Sequence, residues 1–332
     1  GIAYAASIGG ISTLVGTPPN LSFARIANII FPAMPEISFA DWLIFAVWIS
    51  ALVFIAAWVL LYLMYKPKHP WHGVNREEFK KEYQLLGPAK PEEKIVFILF
   101  LTMALLWVFR AGFNIGFVSI PGWSQLFEHP EYFNDGTVAM AISILLFVIP
   151  SKTKKDERLM NWRTANRLPW HIVILFGGGF ALAKGFVDSG LSVWFGEQLS
   201  GLAGTHPMIL TSAIVTMMSF LTELTSNIAS TEMILPILAG MAVSIQINPL
   251  LLMIPATLAA SLAFMLPVAT PPNAIIFGTG RMTIRDMVKT GFLLNIVGVI
   301  VTTLVTYFWG TLVFKIDVTS FPEWAKTLSG GG

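Results

Sequence analysis

Apolar residues run along this chain in long blocks, broken by short polar stretches rather than alternating with them. A bilayer core takes roughly 20 apolar residues as helix. Residues 41–65 (DWLIFAVWISALVFIAAWVLLYLMY) and 290–314 (TGFLLNIVGVIVTTLVTYFWGTLVF) supply that length with little interruption. Residues 94–113 and 137–150 are weaker spans. The stretch 170–189 is apolar around Gly177-Gly178-Gly179, which predicts either a broken helix or close packing against a neighbour.

Three further apolar regions do not read as simple spans. Residues 1–33 are interrupted at Gly16-Thr17-Pro18-Pro19-Asn20, and residues 249–280 at Ala269-Thr270-Pro271-Pro272-Asn273. Between them, 207–246 is apolar except at its centre, Thr222-Glu223-Leu224-Thr225-Ser226-Asn227, which predicts a re-entrant hairpin with two arms and a polar tip. The mixed-charge run Arg76–Glu82 within 72–93 suits a short surface helix. Segment 190–203 (LSVWFGEQLSGLAG) suits an interfacial one.

Composition agrees with a membrane solvent. Charged residues make up 12% of the chain and hydrophobic residues 55%, with a mean hydropathy of +0.70; soluble domains carry about 25% charged residues. The net charge of +2 gives no indication of a nucleic-acid partner, and the absence of Cys excludes disulfides and thiolate metal sites. The first residues, Gly1-Ile2-Ala3-Tyr4, lie inside an apolar stretch, so an upstream part is expected, and Ser329-Gly330-Gly331-Gly332 reads as a linker or flexible end.

The distribution of charge orients the spans. Of 21 Lys and Arg, seven lie in 66–94 (Lys66, Lys68, Arg76, Lys80, Lys81, Lys90, Lys94) and six in 151–167 (Lys152, Lys154, Lys155, Arg158, Arg163, Arg167). The positive-inside rule makes both loops cytoplasmic. Loop 114–136 has no Lys or Arg and carries Glu128, Glu131 and Asp135, which places it outside. In this frame 1–33 runs outward, 41–65 returns, 94–113 and 137–150 form an outward and inward pair, and 170–189 exits. The hairpin then enters from outside and returns there, 249–280 runs inward to Arg281, Arg285 and Lys289, and 290–314 leaves the C-terminus outside. Several of the 11 Trp near span ends read as interfacial anchors.

The two interruptions repeat each other. Val15-Gly16-Thr17-Pro18-Pro19-Asn20 and Val268-Ala269-Thr270-Pro271-Pro272-Asn273 agree at five of six positions, and the topology runs them in opposite directions. Paired, interrupted segments of opposite direction mark the binding site of inverted-repeat transporters. Proline lacks an N–H and clashes with the preceding turn, so two in succession stop a helix. Unwound backbone at membrane depth is tolerated only inside protein or beside a polar cavity. Its carbonyls suit a hard cation, and a helix N-terminus suits an anion. No acidic residue sits at the break motifs, which favours sodium over proton coupling. Glu223 and Glu232 flank the hairpin tip; a structural role is favoured for them over proton coupling or a cation site, and Lys184 and Asp188 near an outer interface are read as structural too.

Other classes fit less well. The five His (His69, His72, His129, His171, His206) fall in loops or at span ends without a metal-spaced pair at membrane depth, no nucleophile–base pair stands out, and no phosphate-binding loop is present. The chain is therefore not read as an enzyme, and no organic cofactor is expected. A channel would need a continuous polar lining, whereas here the polar groups gather at one depth.

At SIGGISTLVGTPPN, LTELTSNIASTEMILPIL and FMLPVATPPNAIIFGTG the chain resembles the divalent anion/sodium symporter family, which includes dicarboxylate, citrate and sulfate transporters. The resemblance implies an all-α polytopic plasma (inner) membrane protein. It also implies a homodimer of inverted-repeat, elevator-type transporters that move a di- or tricarboxylate with sodium. An inorganic oxyanion carrier of sulfate or arsenite type, or a carboxylate exchanger, is the alternative. On this reading 1–33 is the broken helix of the first repeat and 34–169 are scaffold-type helices and loops. Residues 170–289 form the second-repeat transport domain, with hairpin 207–246 and broken helix 249–280, and 290–332 hold the last span and tail.

By the same resemblance Ser226, Asn227, Ile228, Thr270, Pro271, Thr17 and Pro18 face the anion. Ile228 stands where the family carries Thr, which removes a hydroxyl. Thr222, Thr225, Asn227 and Ala269 form a second sodium site, Thr225 and Ala269 through carbonyls, and Gly16 contributes a carbonyl to the first. The first hairpin is expected upstream of Gly1, leaving about half the binding site in this chain.

Because the chain has no cysteine, single cysteines report its orientation directly. A thiol reagent that cannot cross membranes should label Glu131→Cys in intact cells and Lys80→Cys only after permeabilisation. The opposite pattern would invert the topology.

Overall fold

A computed structural model describes residues 1–66, 76–115, 118–154, 157–318 and 320–328. Lys68, His69, His72, Lys155 and the tail 329–332, named above, lie outside the described residues. In chain order the helices are α1 (Ile2–Gly10), α2 (Pro18–Ile30), α3 (Phe39–Tyr65), α4 (Arg76–Leu85), α5 (Pro91–Val108), α6 (Asp135–Val148) and α7 (Trp162–Ala165). They continue as α8 (Trp170–Asp188), α9 (Leu191–Gln198), α10 (Pro207–Leu224), α11 (Asn227–Ser244), α12 (Leu250–Ala260), α13 (Pro271–Phe277), α14 (Ile284–Val305) and α15 (Thr311–Val313). Among the described residues, five helical stretches are long and apolar enough to cross a membrane: Phe39–Tyr65, Trp170–Asp188, Pro207–Leu224, Asn227–Ser244 and Ile284–Val313.

Contacts divide the chain into two compact units. One contains Gly1–Ile37, Asp41–Met64 and His171–Gly332; the other contains Ser38–Ala40 and Tyr65–Trp170. Most of α3 belongs to the first unit, where it packs on the first broken helix. The Trp42 indole N–H donates to the Ile11 carbonyl at 3.1 Å and the Ser50 hydroxyl to the Ile8 carbonyl at 2.7 Å. These bonds satisfy carbonyls that the end of α1 leaves without helical partners.

Both interruptions separate two helices, but the prolines begin the second helix rather than ending the first. Pro18 and Pro271 are the first residues of α2 and α13, following the extended N-caps Thr17 (φ −142°) and Thr270 (φ −140°). A proline at the first helical position wastes no N–H and arrives with φ already set. The preceding helices stop earlier, α1 at Gly10 and α12 at Ala260, so that 11–17 and 261–270 are unwound.

The hairpin is two 18-residue helices, α10 and α11, joined at Thr225 and Ser226. Helix α11 is crossed closely by α9: a Cβ on Gly240 would fall on the Ser192 carbonyl, and one on Gly196 would fall on that of Gly240. Segment 190–203 thus packs on the hairpin. Helix α8 is unbroken at Gly177-Gly178-Gly179, and Gly179 lies against the Glu232 carboxyl, which a side chain there would have to displace. At its far end α14 loosens into a π-helical turn, Thr306–Gly310, whose Trp309 N–H donates to the Ile44 carbonyl at 3.1 Å.

In the second unit α4 is fully exposed, as expected of a mixed-charge surface helix. A short antiparallel hairpin, Gly112–Ile115 with Val118–Pro121, interrupts the loop after α5 and has no alternating signal in the sequence. Helix α5 ends at Val108, short of the expected 113, because the buried Arg110 turns inward to the Asp135 carboxylate (2.6 Å) and the Phe133 carbonyl (2.9 Å).

At the start of α5, before the apolar run, one Glu92 carboxylate oxygen gathers the loop after α6. It accepts from the Ser151 hydroxyl (2.8 Å), the Lys152 N–H (2.7 Å), and the Thr153 N–H (2.8 Å) and hydroxyl (3.1 Å). Loss of water opposes the charge, but the hydrogen bonds outweigh it and hold the pKa down to about 2. A depressed folded pKa gives stability that is complete above the ordinary carboxylate range and lost as pH falls through about 2. Amide protection at Lys152 and Thr153, read by hydrogen exchange, should therefore survive from pH 7 down to 4 and be lost at every pH in Glu92→Gln.

Candidate functional site

The two breaks and the hairpin tip meet around one cavity of about 430 Å³, lined by α1, α8 and the starts of α2, α11 and α13. A volume of this order suits a small-molecule ligand. All seven residues expected at the anion, Thr17, Pro18, Ser226, Asn227, Ile228, Thr270 and Pro271, line it, as do Gly16 and Ala269. Ser7, Ile172, Ser261 and Val268 line it as well; the sequence marked Ser7 and Val268 only as members of the motifs and assigned no site role to any of the four. Among the described residues, no Lys, Arg, His, Asp or Glu does so.

Its polarity comes from hydroxyls, one amide and backbone. Helix α11 opens on the cavity with Ser226 at its N-cap and no side chain capping its first turn. The first N–H groups of a helix have no partner within it, and together with the helix dipole they favour an anion. Thr17 and Ser261 join the two breaks through their hydroxyls at 3.1 Å, whereas in the second copy Thr270 caps its own helix through the Asn273 N–H.

The residues expected at the second sodium site separate into two groups. The buried Thr222 hydroxyl lies 2.6 Å from Asn227 Oδ1 and 2.8 Å from the Ala260 carbonyl, so one proton faces two acceptors in a cluster of three oxygens. Ala269 shares the cavity with Asn227. The Thr225 hydroxyl instead turns back into the hairpin, donating to the Leu221 carbonyl and touching the Ser230 hydroxyl. Gly16 is held at the Gly10 backbone so closely that a Cβ would strike the Gly10 carbonyl. Among the described residues no group of His, Asp and Glu could hold a metal ion.

The unwound backbone of the second break is satisfied by the hairpin. Glu223, one residue from Thr222, accepts from the N–H groups of Phe264 (2.7 Å), Met265 (2.9 Å) and Leu266 (2.9 Å), and from the Asn295 amide (2.8 Å). Thr222 and Ser219 donate to the carbonyls of Ala260 and Leu262. Both polarities of the break are therefore met from one face of α10, and the structural role assigned to Glu223 has a definite target. Glu232, on the other arm, accepts from the Ser22 hydroxyl of α2 at 3.0 Å, tying the hairpin to the first broken helix.

The motif asparagines also have a role that the sequence did not announce. Both are fully buried. Asn20 donates to the Thr13 carbonyl at 2.9 Å and the Ile11 carbonyl at 3.5 Å, and Asn273 to those of Ala263 and Leu266 at 3.1 Å each.

The family described as the sodium:sulfate symporter transmembrane region matches residues 1–316. Among curated proteins the chain is 43% identical over 320 residues to the sodium-dependent dicarboxylate transporter SdcS of Staphylococcus saprophyticus, covering 96% of this chain and 59% of that protein. It is 40% identical to the Na(+)/citrate cotransporter of Rattus norvegicus (98% of this chain, 62% of the relative). It is 38% identical to the Na(+)/dicarboxylate cotransporter 3 of Homo sapiens (99% and 58%). The chain thus spans about three fifths of the length of these relatives.

Removing the Glu223 carboxylate should strand three backbone N–H groups in a buried break. A buried donor left unsatisfied costs about 1–3 kcal/mol. Glu223→Ala should thus lose about 3 kcal/mol or more of stability and Glu223→Gln less, measured by thermal unfolding in detergent; equal melting of Glu223→Ala and the parent would remove the brace from the account.

Proposed function

This chain belongs to the sodium:sulfate symporter transmembrane family, and from that membership we propose that it forms part of a secondary transporter moving a di- or tricarboxylate across the membrane with sodium. The observation that most supports this reading is the neutral cavity at which both breaks and the hairpin tip converge. With no cationic side chain among the described residues of its wall, the site offers an anion hydroxyls, an amide, helix N-termini and whatever cation it binds alongside. Sodium and anion would then favour each other's binding, since each supplies charge that the wall lacks. That is the physical basis of coupling.

Ser226, Asn227, Ile228, Thr270, Pro271, Thr17 and Pro18 take the anion in this reading. Thr222, Asn227 and Ala269, with the Thr225 carbonyl, take one sodium ion, and Gly16 contributes to another. The Ala260 carbonyl beside Thr222 is added to the second site. The relatives' printed names, sodium-dependent dicarboxylate transporter and Na(+)/citrate cotransporter, favour carboxylate over an inorganic oxyanion. The movement proposed is an elevator, the unit bearing the breaks sliding across a scaffold in a homodimer. The protein is integral to the plasma (inner) membrane, with loops 66–94 and 151–167 cytoplasmic and the C-terminus outside.

The test is labelled succinate uptake into proteoliposomes holding the full-length protein that carries these residues. Uptake should require a sodium gradient and fall at least tenfold in Asn227→Ala, as expected when an interaction worth about 1.4 kcal/mol is lost. Sodium-independent exchange would remove the coupling. Uptake of sulfate but of no carboxylate would move the substrate to the oxyanions.

A further inference from the structure

Asn20 and Asn273 occupy the same position in two copies of one motif, 253 residues apart (273 − 20). Neither side chain lines the cavity, both are fully buried, and each spends its N–H groups in the same manner. Each amide donates to two carbonyls of the unwound segment that precedes its own helix: Ile11 and Thr13 in the first copy, Ala263 and Leu266 in the second. The orientation of each amide is fixed, since turning it over would set its oxygen against two carbonyl oxygens. In both copies Oδ1 has no partner among the described residues.

The consequence is a division of labour among the carbonyls. An unwound segment at membrane depth presents several oxygens, and a small cation takes those whose positions it finds already set. By capturing two carbonyls on the buried side, each asparagine fixes the path of its break. Gly16 and Ala269 line the cavity, and neither is among the residues whose carbonyls the two asparagines take, so in the proposed site theirs are the oxygens left to a cation. Serine or threonine at either position offers one O–H in place of the two N–H groups and could tie only one carbonyl.

We propose that Asn20 and Asn273 are paired positioning residues, each presetting one unwound break so that its free carbonyls bind sodium. The inference rests on the proposed sodium coupling. The pair acts on affinity for the cation rather than on the transport step itself. The unused Oδ1 atoms lie on the far side of amides whose donors are already engaged, so the tie to the backbone is the function of these side chains.

The experiment compares the full-length protein with Asn20→Ala, Asn273→Ala and the smaller changes Asn20→Ser and Asn273→Ser. Two quantities are read for each: thermal stabilisation by sodium chloride relative to choline chloride, and the sodium dependence of labelled succinate uptake. Loss of two buried hydrogen bonds should raise the half-saturating sodium concentration about fivefold or more, with a smaller effect on the rate at saturating sodium. A parent protein with no stabilisation by sodium would defeat the proposed coupling itself. A stabilised parent, with variants of unchanged half-saturation, would overturn only the positioning role. A lower maximal rate at unchanged half-saturation would also overturn it, as would failure of all four variants to fold, since either assigns the amides to stability alone.

Discussion

The unwound stretch between α12 and α13 exists because the face of α10 supplies both polarities of hydrogen bond that a broken helix lacks. Glu223 gathers three successive N–H groups of residues 264–266, and Thr222 beside it takes the Ala260 carbonyl that a continuing helix would have used. Without these partners the amides of the break would be buried unsatisfied, at a cost that is a large fraction of a marginal stability. Asn295 adds a fourth donor to the same carboxylate and so fixes α14 to the junction. The hairpin, the break and the last long helix are thereby joined through one side chain.

That arrangement leaves the cavity free of fixed charge. The carboxylates of the hairpin are committed elsewhere, Glu223 to backbone and Glu232 to Ser22, and among the described residues no basic one reaches the wall. In the proposed function such a wall would bind neither ion strongly alone but would reward the two together, because a Coulomb attraction is worth more where water is excluded. The first break reaches the same end by other donors: Trp42 and Ser50 of α3, and Asn20 of the motif itself. The two copies thus share a motif but not a complete set of supports.

Much of this was legible in the sequence. The apolar runs located the long helices, and the repeated Thr-Pro-Pro-Asn located both breaks, because two prolines leave little choice of backbone. The polar centre of 207–246 located the hairpin joint. The run Gly177-Gly178-Gly179 offered a choice between a broken helix and close packing, which the unbroken α8 against Glu232 decided for packing, whereas Gly240 could be read only as a small residue until α9 was seen to cross the hairpin there. The strand pair at 112–121 carries no periodic signal, and Arg110 folds toward Asp135 for reasons that lie 25 residues along the chain.

By itself, the sequence determined where helices restart. Proline at the first helical position acts through its own ring and needs no neighbour, so α2 and α13 begin where the motif says. Where the preceding helices stop was a different matter. Gly9-Gly10 marks the end of α1, but nothing local marks the end of α12 at Ala260, and the prolines at 271–272 lie too far along to do so. That end was decided by Thr222 and Glu223, about forty residues away in the chain, because a backbone hydrogen bond yields to a side chain only where tertiary packing brings that side chain within reach.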